Sequence, residues 1–241
     1  MLASQNRREF KFVLNSELSS TIRERVAENL AEDEHAVGGY PILSEYFDSD
    51  DLHNYWQKKL GVPNRRKLRS RLYGREDASI PPTAFIEVKH KLDGVTVKRR
   101  MPCEVEHLAL VHQTGMTGNK DEDNEHIVRE VNELVESHGK PVVQIRYDRF
   151  AYDSGPEGTI RITFDENVCC RFDSRPLIPG DRDFDCLLLP PGESIMEVKT
   201  IGPVPYWFRQ LVGELRLAPR GFSKYSTAIE LYHLNKQTQP F

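Results

Sequence analysis

Period-two alternation between apolar and charged residues constrains this chain more than any other feature. In "AFIEVKHK", Ile86 and Val88 fall on one side of a strand and Glu87, Lys89 and Lys91 on the other, because successive strand side chains point to opposite faces. "KLRSRLYG" sets Arg69 and Arg71 opposite Leu68 and Leu72, and "TVKRR" aligns Lys98 with Arg100. "TIRITFD" sets Arg161, Thr163 and Asp165 against Ile160, Ile162 and Phe164, while "VVQIRYDRFAY" adds Arg149. The spelling E-x-K occurs at Glu9-Phe10-Lys11, Glu87-Val88-Lys89 and Glu197-Val198-Lys199. Such segments predict antiparallel strands with a greasy face covered by helices and a charged face left over. On those charged faces Lys and Arg dominate, although the whole chain carries 33 Lys and Arg against 37 Asp and Glu. Like charges on neighbouring strands repel, so the crowding points to an anionic guest held in a cation-lined barrel. A charged face that simply meets water is the plainer alternative.

The net charge of -4 supplies no global field for nucleic acid or an anionic membrane. The four cysteines, Cys103, Cys169, Cys170 and Cys186, show no C-x-x-C spacing, which argues against a zinc site and a disulfide framework. The N-terminus lacks an apolar signal core, and the longest apolar run, "CLLL", is far short of the roughly 20 residues of a membrane span. A soluble cytoplasmic protein follows as the expectation, with one domain over residues 1–241.

Amphipathic spacing predicts a helix over 16–32 (Leu18, Ile22, Val26, Leu30), capped by the serines at its start. A second is expected over 50–60, with Asp50 as cap and Leu52, Tyr55, Trp56 and Leu60 inward. Further helices are expected near 104–114, 124–138 and 204–217, and the polar 114–125 as a solvated loop.

Phosphate recognition through a glycine-rich loop is excluded, since neither G-x-x-x-x-G-K-[ST] nor a strand-borne G-x-G-x-x-G occurs. Side chains must cradle the guest instead: Arg by its planar fork, Lys as a compact point charge. The few carboxylates among them, Glu197, Glu87 and Glu9, are candidates for binding Mg²⁺ or Mn²⁺ through hard oxygens while phosphates supply other ligands.

The ordered set "EFKFVL", "SEYFDSDDL", "RKLRSRLYG", "FIEVKHKLDG", "VKRR", "YDRFAY", "RITFD", "MEVKTIGPVPYW" and "GFSKY" resembles the VTC domain. That domain is the polyphosphate polymerase module of the vacuolar transporter chaperone complex, within the triphosphate tunnel metalloenzyme superfamily. The resemblance covers nearly the whole chain. It implies an α+β fold, an antiparallel eight-stranded β-barrel tunnel with flanking α-helices. It also implies metal-dependent transfer of the ATP γ-phosphate to a growing polyphosphate chain, with pyrophosphate and polyphosphate as partners and no nucleic acid. The family's phosphate contacts fall on Lys11, Arg69, Arg71, Lys89, Lys98, Arg149, Arg161 and Lys224, and its metal-binding glutamate on Glu197. Lys91, Arg100, Lys199 and Arg220 are expected as further substrate-binding residues. Where the family has two basic residues flanking Phe-Ser, this chain has Gly221 and Lys224, with Arg220 one position earlier. Within these 241 residues neither the SPX domain nor the membrane helices of the eukaryotic complex are expected.

Two alternatives stand beside this. A triphosphatase of the same superfamily commonly opens with E-x-E-x-K, and here the first glutamate is replaced by Arg7, which disfavours hydrolysis. A non-catalytic polyanion-binding module would not need the intact Glu197. Other features read as structural. The histidines, among them His35, His53, His107, His112 and His126, are scattered, and His90 lies on the apolar side of its strand. "DRDFDC" lacks the glycine and glutamate of a calcium loop and is expected to be a solvated turn. Trp56, Trp207 and Tyr206 are expected in the core. Asp48 is expected to end a strand.

Overall fold

The computed structural model describes residues 7–34, 37–74, 82–114, 125–137, 139–155, 158–172 and 175–234. Most of the expected 114–125 loop, the ends of the 124–138 helix and His35 therefore lie outside the described residues. The strands are β1 (Arg7–Leu14), β2 (Ala31–Glu32), β3 (Tyr40–Asp48), β4 (Arg65–Tyr73), β5 (Thr83–Leu92), β6 (Val95–Cys103), β7 (Lys140–Asp153), β8 (Ile160–Arg171), β9 (Cys186–Leu187) and β10 (Ser194–Ile201). The helices are α1 (Ser16–Ala27), α2 (His53–Lys59), α3 (Val105–Thr114), α4 (Glu125–Ser137), α5 (Tyr206–Glu214) and α6 (Lys224–Ala228), the last continued by a π-helical turn, Ile229–Leu234.

The chain divides into two compact units. One is drawn from Met1–Tyr40, Tyr147–Val168 and Leu187–Lys224, the other from Pro41–Arg146, Cys169–Cys186 and Tyr225–Phe241. The first unit pairs its strands in the order β1-β10-β8-β7, and the second β7-β3-β4-β5-β6. This is the expected antiparallel eight-strand path with flanking helices, β7 and β8 contributing residues to both units.

In the first unit the apolar face of the alternation is the core. Phe12, Ile162, Phe164, Met196 and Val198 pack with Ile22 and Val26 of α1 and Phe208 and Leu211 of α5. Each such side chain contributes roughly 1.5–3 kcal/mol by leaving water. In the second unit Leu68, Ile86, Val88 and Met101 pack with Val111 of α3 and Ile127 and Val131 of α4. Leu43, Leu72 and Ala84 pack with Leu108 and Leu177.

The β5–β6 hairpin turns on Asp93 (φ 44°) and Gly94 (φ 87°), both left-handed. That two-residue turn, spelled Asp-Gly, matches the twist of the flanking strands and fixes the register: Leu92 meets Val95 and Lys89 meets Lys98.

Several local expectations are corrected. The α1 cap is Asn15, whose side chain accepts from the Leu18 N–H, and the helix stops at Ala27, with Leu30 buried beyond it. Helix α2 is capped by Asp48, not Asp50. The Asp48 carboxylate accepts from the backbone N–H of Ser49, Asn54 and Tyr55, meeting the unpaired donors of a helix start. Trp56, Leu60 and Tyr206 are 45%, 78% and 72% exposed, because the short helices α2 and α5 bury only a narrow stripe. Trp207 does pack against the core. "DRDFDC" is more than a solvated turn: Asp181 pairs with buried Arg171 at 2.6 Å and Asp183 with Arg175 at 2.8 Å. His90 meets Glu130 of α4 at 3.0 Å, on the helix side of β5.

Candidate functional site: two charged sheet faces

In the first unit the face opposite the core is a checkerboard. Strands β1 and β10 run antiparallel with Glu9 opposite Lys199 and Lys11 opposite Glu197, so two copies of E-x-K interlock with alternating sign. The Lys11 ammonium lies 3.1 Å from Glu197 Oε2 and 3.3 Å from Glu9 Oε1, and Lys199 pairs with Glu197 Oε1. Burial alone would raise the Glu197 pKa, but Lys199 and Lys11 outweigh it and hold the carboxyl well below the usual range. On the neighbouring strand β8, Thr163 faces Glu197. Thr163 Oγ1 is buried without a hydrogen-bond partner, an uncommon state for a buried hydroxyl.

Further along the same face Asp165, fully buried, accepts a two-pronged contact from Arg149 at 2.7 and 2.8 Å and a third from Lys224 at 2.5 Å. Both cations also lie over the Tyr147 ring, at 5.3 and 4.3 Å. Burial works against the Asp165 charge, yet Arg149 and Lys224 keep its pKa far below normal. Arg161 is bound by Asp33 at 2.6 Å and Asp153 at 3.3 Å. Arg220 donates its backbone N–H to the Lys11 carbonyl at 2.7 Å and keeps an exposed side chain.

The second unit carries a different pattern. Its charged face has the cross-strand rows Arg65–Lys91, Lys67–Lys89–Lys98, Arg69–Glu87–Arg100 and Arg71–Phe85. On β4, β5 and β6 this face holds eight cations and one carboxylate, Glu87. Glu87 is 1% exposed, and both its oxygens are taken: Oε2 by Arg69 at 2.5 and 2.6 Å, Oε1 by Lys98 at 3.3 Å. Arg71 donates to Ser44 at 3.1 Å and to the Tyr73 hydroxyl at 3.2 Å, Arg69 to the Tyr46 hydroxyl at 3.3 Å, and Arg100 lies 3.9 Å over Phe85. The third E-x-K copy thus shares a spelling with the other two and nothing of their surroundings.

Burial would lift the Glu87 pKa, but Arg69, Arg71 and Lys98 bring it from 4.5 down to about 2. A carboxyl whose pKa is depressed by folding contributes stability that is complete above its unfolded value and lost as pH falls through the folded one. Acid titration should therefore erode stability between pH 4.5 and about 2, and Glu87→Gln should flatten that slope. An unchanged slope in the variant, followed by circular dichroism, would show that Glu87 does not carry it.

Sequence alternation selected the charged residues of these strand faces except Arg65 and Lys67; Lys224 and Arg220 came from the family resemblance, and Asp33, Asp153 and the polar partners Tyr46, Tyr73 and Tyr147 were marked by neither. Lys67 stands two residues before Arg69 and so shares its face; extending the same period by one step finds it.

The model of the VTC domain family matches residues 6–233. The chain belongs to the VTC domain family. Similar solved structures bear out the fold of this VTC chain. A putative adenylate cyclase from Bacillus halodurans aligns with TM-score 0.54 at 10% identity, over 95% of this chain and 100% of that one. A putative adenylyl cyclase from Hippeastrum, described as having a dominant triphosphatase activity, aligns with TM-score 0.54 at 16% identity, over 90% and 92%. No curated protein matches. Among the described residues no helix is long and apolar enough to cross a membrane, and no group of three or more His, Cys, Asp or Glu is placed to hold a metal ion.

Proposed function

We propose that this VTC chain acts as one domain, a metal-dependent polyphosphate polymerase that transfers the ATP γ-phosphate to a growing polyphosphate chain. The observation that carries the proposal is the eight-to-one excess of cations over carboxylates on β4–β6, a surface that repels itself until a polyanion occupies it. Arg69, Arg71, Lys89 and Lys98 hold phosphates there, with Lys91 and Arg100 beside them. In the first unit Lys11, Arg149, Arg161 and Lys224 hold phosphates, with Lys199 and Arg220 beside them.

A divalent metal fits Glu197. Its carboxylate stays ionised and is hard-oxygen in character, and the orphaned Thr163 hydroxyl beside it is a polar group awaiting a ligand. Glu9, which shares Lys11 with Glu197, is the second candidate ligand. Cations hold both oxygens of Glu87 as they do those of Glu197, but Glu87 is more deeply buried, 1% exposed against 9%; it orients Arg69 and Lys98 instead. When bound, Mn²⁺ or Mg²⁺ supplies charge neutralisation between phosphates. A terminal phosphate acceptor is already an oxyanion near neutral pH, so the chain's own task is to align donor and acceptor and offset their repulsion.

The description of the Hippeastrum protein favours a second reading, hydrolysis of a triphosphate. Incubation of the pure protein with ATP and Mn²⁺ separates the two. Long polyphosphate on a gel is expected; free phosphate without chains would favour hydrolysis, and tight polyphosphate binding without turnover would leave only a binding module.

A further inference from the structure

Lys67 is a half-buried ammonium with no carboxylate at ion-pair distance among the described residues. Lysine is almost never fully buried unless paired, and partial burial without a carboxylate leaves this charge poorly compensated. Its cross-strand neighbour is Lys89, whose other neighbour is Lys98. Directly opposed side chains stand roughly 4.5–5.5 Å apart at Cβ, so three lysine side chains leave the sheet side by side, of which Lys98 reaches Glu87 at 3.3 Å. What Lys67 does have is an aromatic face, the Tyr225 ring at 5.1 Å, itself stacked on Tyr46 at 5.4 Å. The nearby carboxylate, Asp48, is already committed to the α2 N-terminus and the Tyr225 hydroxyl.

We infer that Lys67 is a further phosphate contact of the polyanion site, and that it takes up a proton as the phosphate arrives. This rests on the proposed polyphosphate-binding site. Burial comes first among the influences on Lys67, followed by Lys58 of α2; together with Arg65 they outweigh Tyr46 and Asp48 and lower its pKa from 10.5 to about 8. Lys89 adds a like charge across the strand pair. An arriving phosphate favours the charged form. Binding therefore raises the pKa, and affinity is full below about pH 8 and declines as pH rises through it.

The test is calorimetric titration of tripolyphosphate, without metal, into the pure protein in two buffers of different ionisation heat. Comparing wild type with Lys67→Arg cancels protons exchanged by the ligand itself. At pH 8 the wild type should take up about half a proton more than Lys67→Arg, and the difference should vanish at pH 6.5 or below. Lys67→Met should bind about tenfold more weakly at low salt, with Lys67→Arg close to wild type. Equal proton counts in wild type and Lys67→Arg would overturn the inference and leave the site standing. No tripolyphosphate binding by wild type would overturn both. Because the readout is binding, it is independent of whether the protein makes chains or hydrolyses its substrate.

Discussion

Replacing Glu197 by Gln is expected to lower metal-dependent turnover by about 10²- to 10³-fold, the scale of removing one electrostatic group from a site of this kind. The substitution keeps the shape and removes the charge. On the proposed reading it deprives the metal of its hard anionic ligand, and it deprives Lys11 and Lys199 of the carboxylate they share. The second effect tightens anion binding where the first abolishes chemistry. Metal-free tripolyphosphate affinity should therefore hold or rise while turnover collapses. That opposite movement distinguishes a lost ligand from a damaged fold. Turnover that survives the change at saturating Mn²⁺ would remove Glu197 from the metal site.

The largest stability effect is expected at Asp165. Its carboxylate is fully buried and is the shared counter-ion of Arg149 and Lys224. Asp165→Asn leaves two cations, each 14% exposed at the side chain, facing one another without it, and breaking a buried pair from one side costs about 3–5 kcal/mol. Urea denaturation should show that loss as a lower midpoint with an unchanged slope. Arg161 offers the contrast: it is 42% exposed at the side chain, and its pairing with Asp33 and Asp153 is open to solvent. Arg161→Ala should cost about 1 kcal/mol or less. If Asp165→Asn were as mild as Arg161→Ala, the buried pairing would not be a support of the fold.

Much of this was legible in the sequence because strand alternation is a local signal. Ile86 and Val88 went inward and Lys89 and Lys91 outward on nothing but parity, and the same held for Arg69 against Leu68. Register is the part that parity cannot supply. The sequence spells Glu9-Phe10-Lys11 and Glu87-Val88-Lys89 alike, yet the first meets a matching copy and the second meets Arg69, Lys67, Arg100 and Lys98. Only the hairpin from β5 to β6 announces its register, through Asp93-Gly94. Long-range partners were equally invisible: nothing near Arg161 in sequence marks Asp33, and nothing near Asp165 marks Lys224. Tyr206 and Trp56 misled because aromatic residues at helical spacing look like core even where a short helix turns them to solvent.

The checkerboard of β1 and β10 has a consequence for how the chain finds its fold. These strands lie near opposite ends of the sequence and no tight turn joins them, so neither loop length nor turn type can set their alignment. Charge can. In the native pairing Glu9 meets Lys199 and Lys11 meets Glu197. A slip of two residues, which keeps every greasy side chain on the core face, would bring Glu9 against Glu197 or Lys11 against Lys199. Parity protects the pairing against odd slips, and like-charge repulsion protects it against this even one. The residues proposed to hold metal and phosphate thus act first as a key that rejects the nearest misalignments of the first and last strands.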